Sequence, residues 1–494
     1  MAKSTNTRVD KVKVRMYKGG TGDCFLLQFM KGTEPSFNMM IDCGSIKGGA
    51  PQFEAIAKNI KAETGGIIDL LIVTHEHADH INGFEKAKEL FDEFTFKKVW
   101  FAWTEDDEDP VANDYRQNRS ELGLALDAAV AKLNMLLTDN YYEKLFMDDV
   151  RGQLMVDGKR KFINSITSLN DLNMLKAAKG KPLPTMVEKF KEFNIIKEDT
   201  IVELLKPGDV RSKLAGATGI RFYVLAPPRD FNLLDETEGG DNNFDKRETK
   251  SRKDFAFLSA VDGAITGSEA SKFPFEAEHE LKDTQHEIRQ LYNKVGDEWR
   301  KIDHDWLYSA GSIAMRYERS INNTSLALAI QFEDSERVLL FPADAEFGSW
   351  KSWHMDLHWP VKIDGKTVKK DISYFLANTV FYKVGHHLSH NGTATTMGLD
   401  LMTSDELTAM ATLDFAKIND GWLNTMPNDL LGAELIRKCN GKLFVNGNCD
   451  KILSNMKTDR VTIKKTHERI MRKLHEGFED EIFLECVIDG KNPS

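Results

Sequence analysis

A chain of 494 residues, 41% hydrophobic and 29% charged, has the composition of a globular protein with a large core, and its length corresponds to about two to four domain-sized units. The net charge of −11 disfavours broad phosphate binding, and five cysteines without a Cys-x-x-Cys pair exclude a disulfide framework and a zinc ribbon, leaving free thiols. No stretch reaches the roughly 18 apolar residues of a membrane span and the polar N-terminus lacks an apolar signal core, so a cytoplasmic chain with no membrane contact is expected.

Residues 12–17 alternate, Gly20-Thr21-Gly22-Asp23 interrupts, and 24–30 resume, which predicts a hairpin. The glycines do not form a phosphate loop, because no helix and no Lys-Ser/Thr pair follows. A strand over 39–41 ends in Asp42 and Gly44, where the acid either shapes a turn or orients a neighbouring loop by hydrogen bonds. A helix over 51–64 precedes the apolar run 67–73, which reads as a strand buried on both faces. Directly after it, Thr74-His75-Glu76-His77-Ala78-Asp79-His80 crowds three imidazoles and a carboxylate together. Such density at a strand end points to metal ligands. His75 and His77, two apart in an extended turn, face one side, while Asp79 and His80 turn back as a second pair. Two adjacent divalent ions follow from that spacing, with metal-assisted hydrolysis as the chemistry.

The pattern continues with a helix from Asn82, a strand over 97–103 and a solvated acidic loop over 105–110. From 111 to 214 it is helical, with Leu122, Leu126, Ala129, Leu133 and Leu136 on one face after an N-cap at Ser120. The strand 219–226 stops at two prolines. Residues 231–319 interrupt again, as a polar loop and then a charged helix over 276–306 that carries His279 and His286 on one face. A hairpin over 325–342 delivers Asp344, and the strand from Phe381 ends in Gly385-His386-His387. A strand near 442–446, a basic segment and a closing strand over 482–488 complete the chain.

His75-x-His77-x-Asp79-His80 resembles the signature of the metallo-β-lactamase superfamily. Gly20-Thr21-Gly22-Asp23, Asn322-Asn323-Thr324-Ser325 and Gly385-His386-His387 are similar to blocks of the hydrolase domain of ComEC-type DNA-uptake proteins. The resemblance implies an α+β fold, a four-layered αββα sandwich with metal loops along one edge and large helical insertions. Its parts would be core over 8–105, helical insertion over 106–214, a core strand within 215–230, loop and helical insertion over 231–319, and core again over 320–494. It makes His75, His77, Asp79, His80, Asp344 and His386 the metal ligands, with Asp344 bridging two ions and His386 on the second. Asp42 would orient the metal loop and His387 would bind phosphate or move a proton, so that catalysis rests on Asp79, His387 and Asp42. One departure stands out: the histidine that two-metal members supply before the bridging acid is missing between His80 and His279. Either His279, His286 or His304 substitutes, or the first ion is held weakly, or the substrate completes its shell. One or two ions of Zn²⁺ or Mn²⁺ are expected.

The activity implied is that of a metal-dependent phosphodiesterase or nuclease. Two alternatives stay open: a hydrolase of a small nucleotide, lactone or thioester, and a hydrolase-fold component of a defence system that binds a protein partner through the helical insertions. Residues 457–473 hold Lys457, Arg460, Lys464, Lys465, Arg469, Arg472 and Lys473 against Asp459 and Glu468, and form either a nucleic-acid track or a solvated helix face.

Overall fold

The computed structural model describes residues 8–140, 150–236, 286–292, 310–363, 365–414, 426–447 and 482–492, together with residues 239, 242 and 294. His279, His304 and the basic segment 457–473 lie outside the described residues.

Two seven-stranded mixed sheets carry the fold. The first runs, edge to edge, through Phe483–Asp489, Lys11–Tyr17, Phe25–Lys31, Glu34–Ile41, Leu70–Ile72, Lys98–Ala102 and Ile201–Leu205. The second runs through Leu443–Val445, Thr408–Ala411, Thr379–Lys383, Val338–Phe341, Ala327–Phe332, Ile220–Ala226 and Val210–Ser212. Each sheet is antiparallel on one side and parallel on the other. The parallel sides need crossover helices, which bury both faces of their strands and explain the unbroken apolar runs there.

Successive strand residues point to opposite faces, and this alternation builds three layers of core. Leu27, Met39, Leu70 and Trp100 of the first sheet meet Phe222, Leu328, Leu339 and Phe381 of the second in one cluster between the sheets. Leu26, Met40, Leu71 and Val99 face the other way, against Phe53 and Ile56 of the helix Ala50–Thr64 and Phe84 of the helix Ala78–Lys86. On the far side of the second sheet, Tyr223, Leu340 and Tyr382 pack with Trp350 and Trp353 of the helix Phe347–Trp353 and Phe375 of the helix Ile372–Ala377. The C-terminal ends of Leu70–Ile72, Val338–Phe341 and Thr379–Lys383 feed the loops that carry the histidines and aspartates of interest.

Several boundaries differ from the sequence reading. The apolar run 67–73 breaks at Asp69, whose carboxylate accepts a hydrogen bond from Asn38 N at 2.8 Å. Ile67–Ile68 then pairs with Thr95–Phe96 instead of the large sheet. The long helix spans Pro110–Thr138 and is capped by Asp109, which accepts from Val111 N and Ala112 N, so Ser120 is an interior buried residue. Asp109 also pairs with Arg229 at 2.8 Å, so this end of the acidic run is structural and not a solvated loop. Pro110–Thr138, Val150–Asn170 and Ala310–Asn322 share their own small core around Leu126, Leu133, Ile163 and Tyr317. The helical excursion ends well before 214: Phe190 and Phe193 pack on the outer face of the first sheet, and Ile201–Leu205 and Val210–Ser212 are edge strands of the two sheets. Among the described residues no helix is long and apolar enough to cross a membrane.

Candidate metal centre

The loop 74–77 leaves the strand Leu70–Ile72 and turns at once into the helix Ala78–Lys86, which puts Asp79 in the first helical turn, where a carboxylate suits the helix dipole. Asp42, held at φ 52°, organises this turn. Its Oδ1 accepts from Thr74 N at 2.9 Å, and its Oδ2 lies 2.5 Å from Thr74 Oγ1 and 2.8 Å from His80 Nδ1. With Nδ1 donating to Asp42, Nε2 of His80 is aimed at Asp344, where its N–H donates to Oδ2 at 3.0 Å when no ion is bound. His387 is oriented in the same manner: Nδ1 lies 2.9 Å from Thr412 Oγ1, which donates to Asp23 Oδ1 at 2.6 Å, while Nε2 is 3.1 Å from both Asp79 Oδ2 and Asp344 Oδ2. The ligand atoms of Asp79, His80, Asp344 and His387 all lie within 4.8 Å of one another, and all four residues are buried. Asp23, Asp42 and His80 form a second such group.

His386, expected as the ligand, is outside the quartet, and its neighbour His387 stands in the place assigned to it. Residues 386, 387 and 388 all adopt left-handed φ values, of 41°, 47° and 66°, and this tight turn sends adjacent imidazoles to different sides. His386 faces Glu346 Oε1 at 3.4 Å and Asn322 Nδ2 at 3.4 Å. His75 and His77 lie beside the quartet without joining it: His75 Nε2 is 3.1 Å from His77 Nδ1, and His75 Nδ1 is 3.3 Å from Ser325 Oγ. His286 is exposed and belongs to neither ligand group. Positive φ at Asp42, Ala343, His386, His387 and Leu388 concentrates strain around the site, on the order of 1–3 kcal/mol for each such residue.

Two contributions, from Lys383 and Arg119, were not singled out from sequence. The Lys383 ammonium is buried between Asp23 Oδ2 at 2.6 Å and Asp344 Oδ1 at 3.1 Å. A lysine inside an apolar strand is the signal that could have found it, since such a charge needs partners. Arg119 pairs with Glu76, both buried, from the long helix to the middle of the metal loop. Within the Asn322-Asn323-Thr324-Ser325 block noted in the sequence, Asn323 Oδ1 accepts from Glu346 N at 3.0 Å and Ser325 Oγ accepts from Asp344 N at 3.3 Å, which fixes the Asp344 loop. Gly22, at φ +145°, and Gly44 permit the closest approach: a Cβ on Gly22 would stand 2.5 Å from the Asp79 carbonyl, and one on Gly44 would stand 2.4 Å from His80 N.

Burial pushes the Asp79 carboxyl up, but hydrogen bonding to His387 and the charge of His80 overcome it and hold the group at about 2. Asp344 is likewise held well below the usual range, against burial, by His387, His80 and Lys383. Burial pulls both histidines down, but Asp344 together with Asp79 and Asp23 at His387, and with Asp23 and Asp42 at His80, outweighs it, lifting His387 to about 9 and His80 well above its ordinary value. Burial instead drives His77 down to about 3 and His386 to about 4. Two carboxylates and two imidazoles suit a divalent transition ion. The buried Asp79 Oδ1 and His77 Nε2 have no hydrogen-bond partner, as donor atoms waiting for an ion would not. Both residues line a cavity of about 200 Å³, with Asp344, His386 and His387 beside them.

No family model, curated protein or solved structure matches the chain.

Proposed function

We propose that this chain is a metal-dependent hydrolase of the metallo-β-lactamase type, acting on a phosphodiester bond, with its paired sheets and outer helices forming the αββα sandwich of that superfamily. The observation that carries this reading is the buried quartet of Asp79, His80, Asp344 and His387, drawn together from three separate parts of the chain, with Asp79, Asp344 and His387 lining one cavity. Asp79, His80, Asp344 and His387 would hold a divalent ion, Zn²⁺ or Mn²⁺, which when bound would supply Lewis acidity and a more acidic water. Asp79 and Asp344 provide charge for it, and Asp42 and Thr412 fix the tautomers that leave His80 Nε2 and His387 Nε2 as donors. With His387 in the quartet, proton movement at the leaving group falls to the cavity wall, where His386 Nε2 lies 3.7 Å from Glu318 Oε1. Burial lifts the Glu318 carboxyl to about 7, so it can hold a proton near neutral pH.

One observation favours the second reading, hydrolysis of a small nucleotide, lactone or thioester: the cavity walls are mainly apolar. The test is turnover of bis(p-nitrophenyl) phosphate, single- and double-stranded DNA, RNA, a lactone and a thioester with Zn²⁺, Mn²⁺ or Mg²⁺. The expected result is ion-dependent phosphodiester cleavage, lost in Asp79→Ala with an unchanged circular dichroism spectrum. An ion-loaded protein that turns over none of these substrates overturns the reading.

A further inference from the structure

Resting on that hydrolase reading, we propose that the cavity beside the quartet is a subsite for an apolar substituent of the substrate, a medium-length alkyl or single-ring aryl group attached next to the scissile bond. The apolar part of its lining is Phe162, Ile166 and Leu169 of the helix Val150–Asn170, Met315 of the helix Ala310–Asn322, and Leu172 and Met426. Ile166, Leu172 and Met426 are buried and give a rigid back wall, whereas Met315 is 37% exposed and belongs to none of the apolar clusters that hold the fold together. A large thioether side chain on a helix whose other face carries Ala314 and Tyr317 into the core is surface left over for a ligand, and its flexibility adapts to irregular apolar groups.

The floor points to the ligand. Asp79 Oδ1 and His77 Nε2, buried and without partners, line the same cavity, so whatever fills the apolar part also presents a polar centre to the quartet. A cavity of about 200 Å³ is smaller than the roughly 300–1,000 Å³ that encloses a whole drug-sized ligand, which limits it to one substituent and leaves the rest of the substrate at the mouth. A sugar-phosphate chain is a poor occupant. Arg319 is the only lysine or arginine among the described lining residues, too few to hold a run of phosphates.

Calorimetric titration with methyl-, butyl- and octylphosphonate tests the subsite without relying on turnover. The Zn²⁺-loaded protein should bind more tightly by about fourfold for each added methylene until the cavity is full, the increment expected for a buried CH₂. Met315→Gln, at an exposed position that the fold tolerates, and Ile166→Phe, which narrows the cavity, should both flatten that dependence. Affinity independent of chain length, as when another segment of the chain fills the cavity, overturns the subsite. An unchanged slope in both variants overturns it as well, because the apolar contact then lies elsewhere. Failure of the hydrolase reading shows differently: the chain-length dependence persists in the ion-free protein, but the loaded protein cleaves no phosphodiester, lactone or thioester.

Discussion

The Arg119 guanidinium pairs with the Glu76 carboxylate in full burial, linking the long helix Pro110–Thr138 to the residue that stands between His75 and His77. Tyr115 and Tyr317 place their rings 5.7 and 5.6 Å from the same guanidinium. On the other side of the loop, Ala78 N donates to Leu172 O at 2.8 Å. The helical excursion therefore grips the metal loop from two directions, and the sharp turn that presents Asp79 and His80 depends on it.

Removing one partner of this pair should be costly. Arg119→Met leaves a buried carboxylate unpaired and should lose about 3–5 kcal/mol of stability in urea denaturation. The double variant Glu76→Gln/Arg119→Met should lose less than Arg119→Met alone. Additive losses from the two sites would show that the pair is not coupled.

Ion binding should release protons. His387, lifted to about 9, and His80, raised well above its ordinary value, are both protonated near neutral pH without an ion, and each must surrender its proton to offer Nε2. Affinity should rise with pH and level off above about 9, and calorimetry in buffers of different ionisation enthalpy should count the protons. The ion-free protein carries the opposite linkage. A histidine whose value is raised on folding stabilises fully below its unfolded value of about 6.5, and that contribution fades as pH climbs through the folded value near 9. Ion-free stability that rises across this window would contradict the assignment.

Lys383 should limit the centre to one tightly held ion. A bridging carboxylate needs an oxygen for each cation, and Asp344 gives Oδ1 to the Lys383 ammonium while Oδ2 faces His80 and His387. His75 and His77 belong to neither ligand group. Elemental analysis after dialysis should find one ion per chain, and Lys383→Met should change that number or abolish folding. Two ions of equal affinity in the unaltered protein would overturn the role given to Lys383.

Much of this was legible in the sequence where local signals dominate. The strands from Lys11–Tyr17 to Leu70–Ile72 follow from apolar runs broken by glycine and acid, and the crowding of His75, His77, Asp79 and His80 marked the loop that supplies Asp79 and His80 to the candidate site. The carboxylate of Asp42 bonds Thr74 N and His80 Nδ1 of that loop. What could not be read depends on direction or distance. Which of His386 and His387 faces inward is set by a left-handed turn that neither residue type announces. The Lys383 and Arg119 pairings join residues far apart in the chain, and no periodicity records them. The edge strand Ile201–Leu205, exposed at Ile201, lacks the continuous apolar run that betrays a central strand, so it was absorbed into the helical insertion.

The position of the ion tests the central claim most directly, by anomalous diffraction at the zinc edge from crystals of the Zn²⁺-loaded protein. The expected peak lies within ordinary bonding distance, roughly 2.0–2.2 Å, of Asp79, His80, Asp344 and His387, with His386 on the cavity wall outside the coordination sphere. A peak held by His386 and Glu346, or no ordered ion in the loaded crystals, would contradict it.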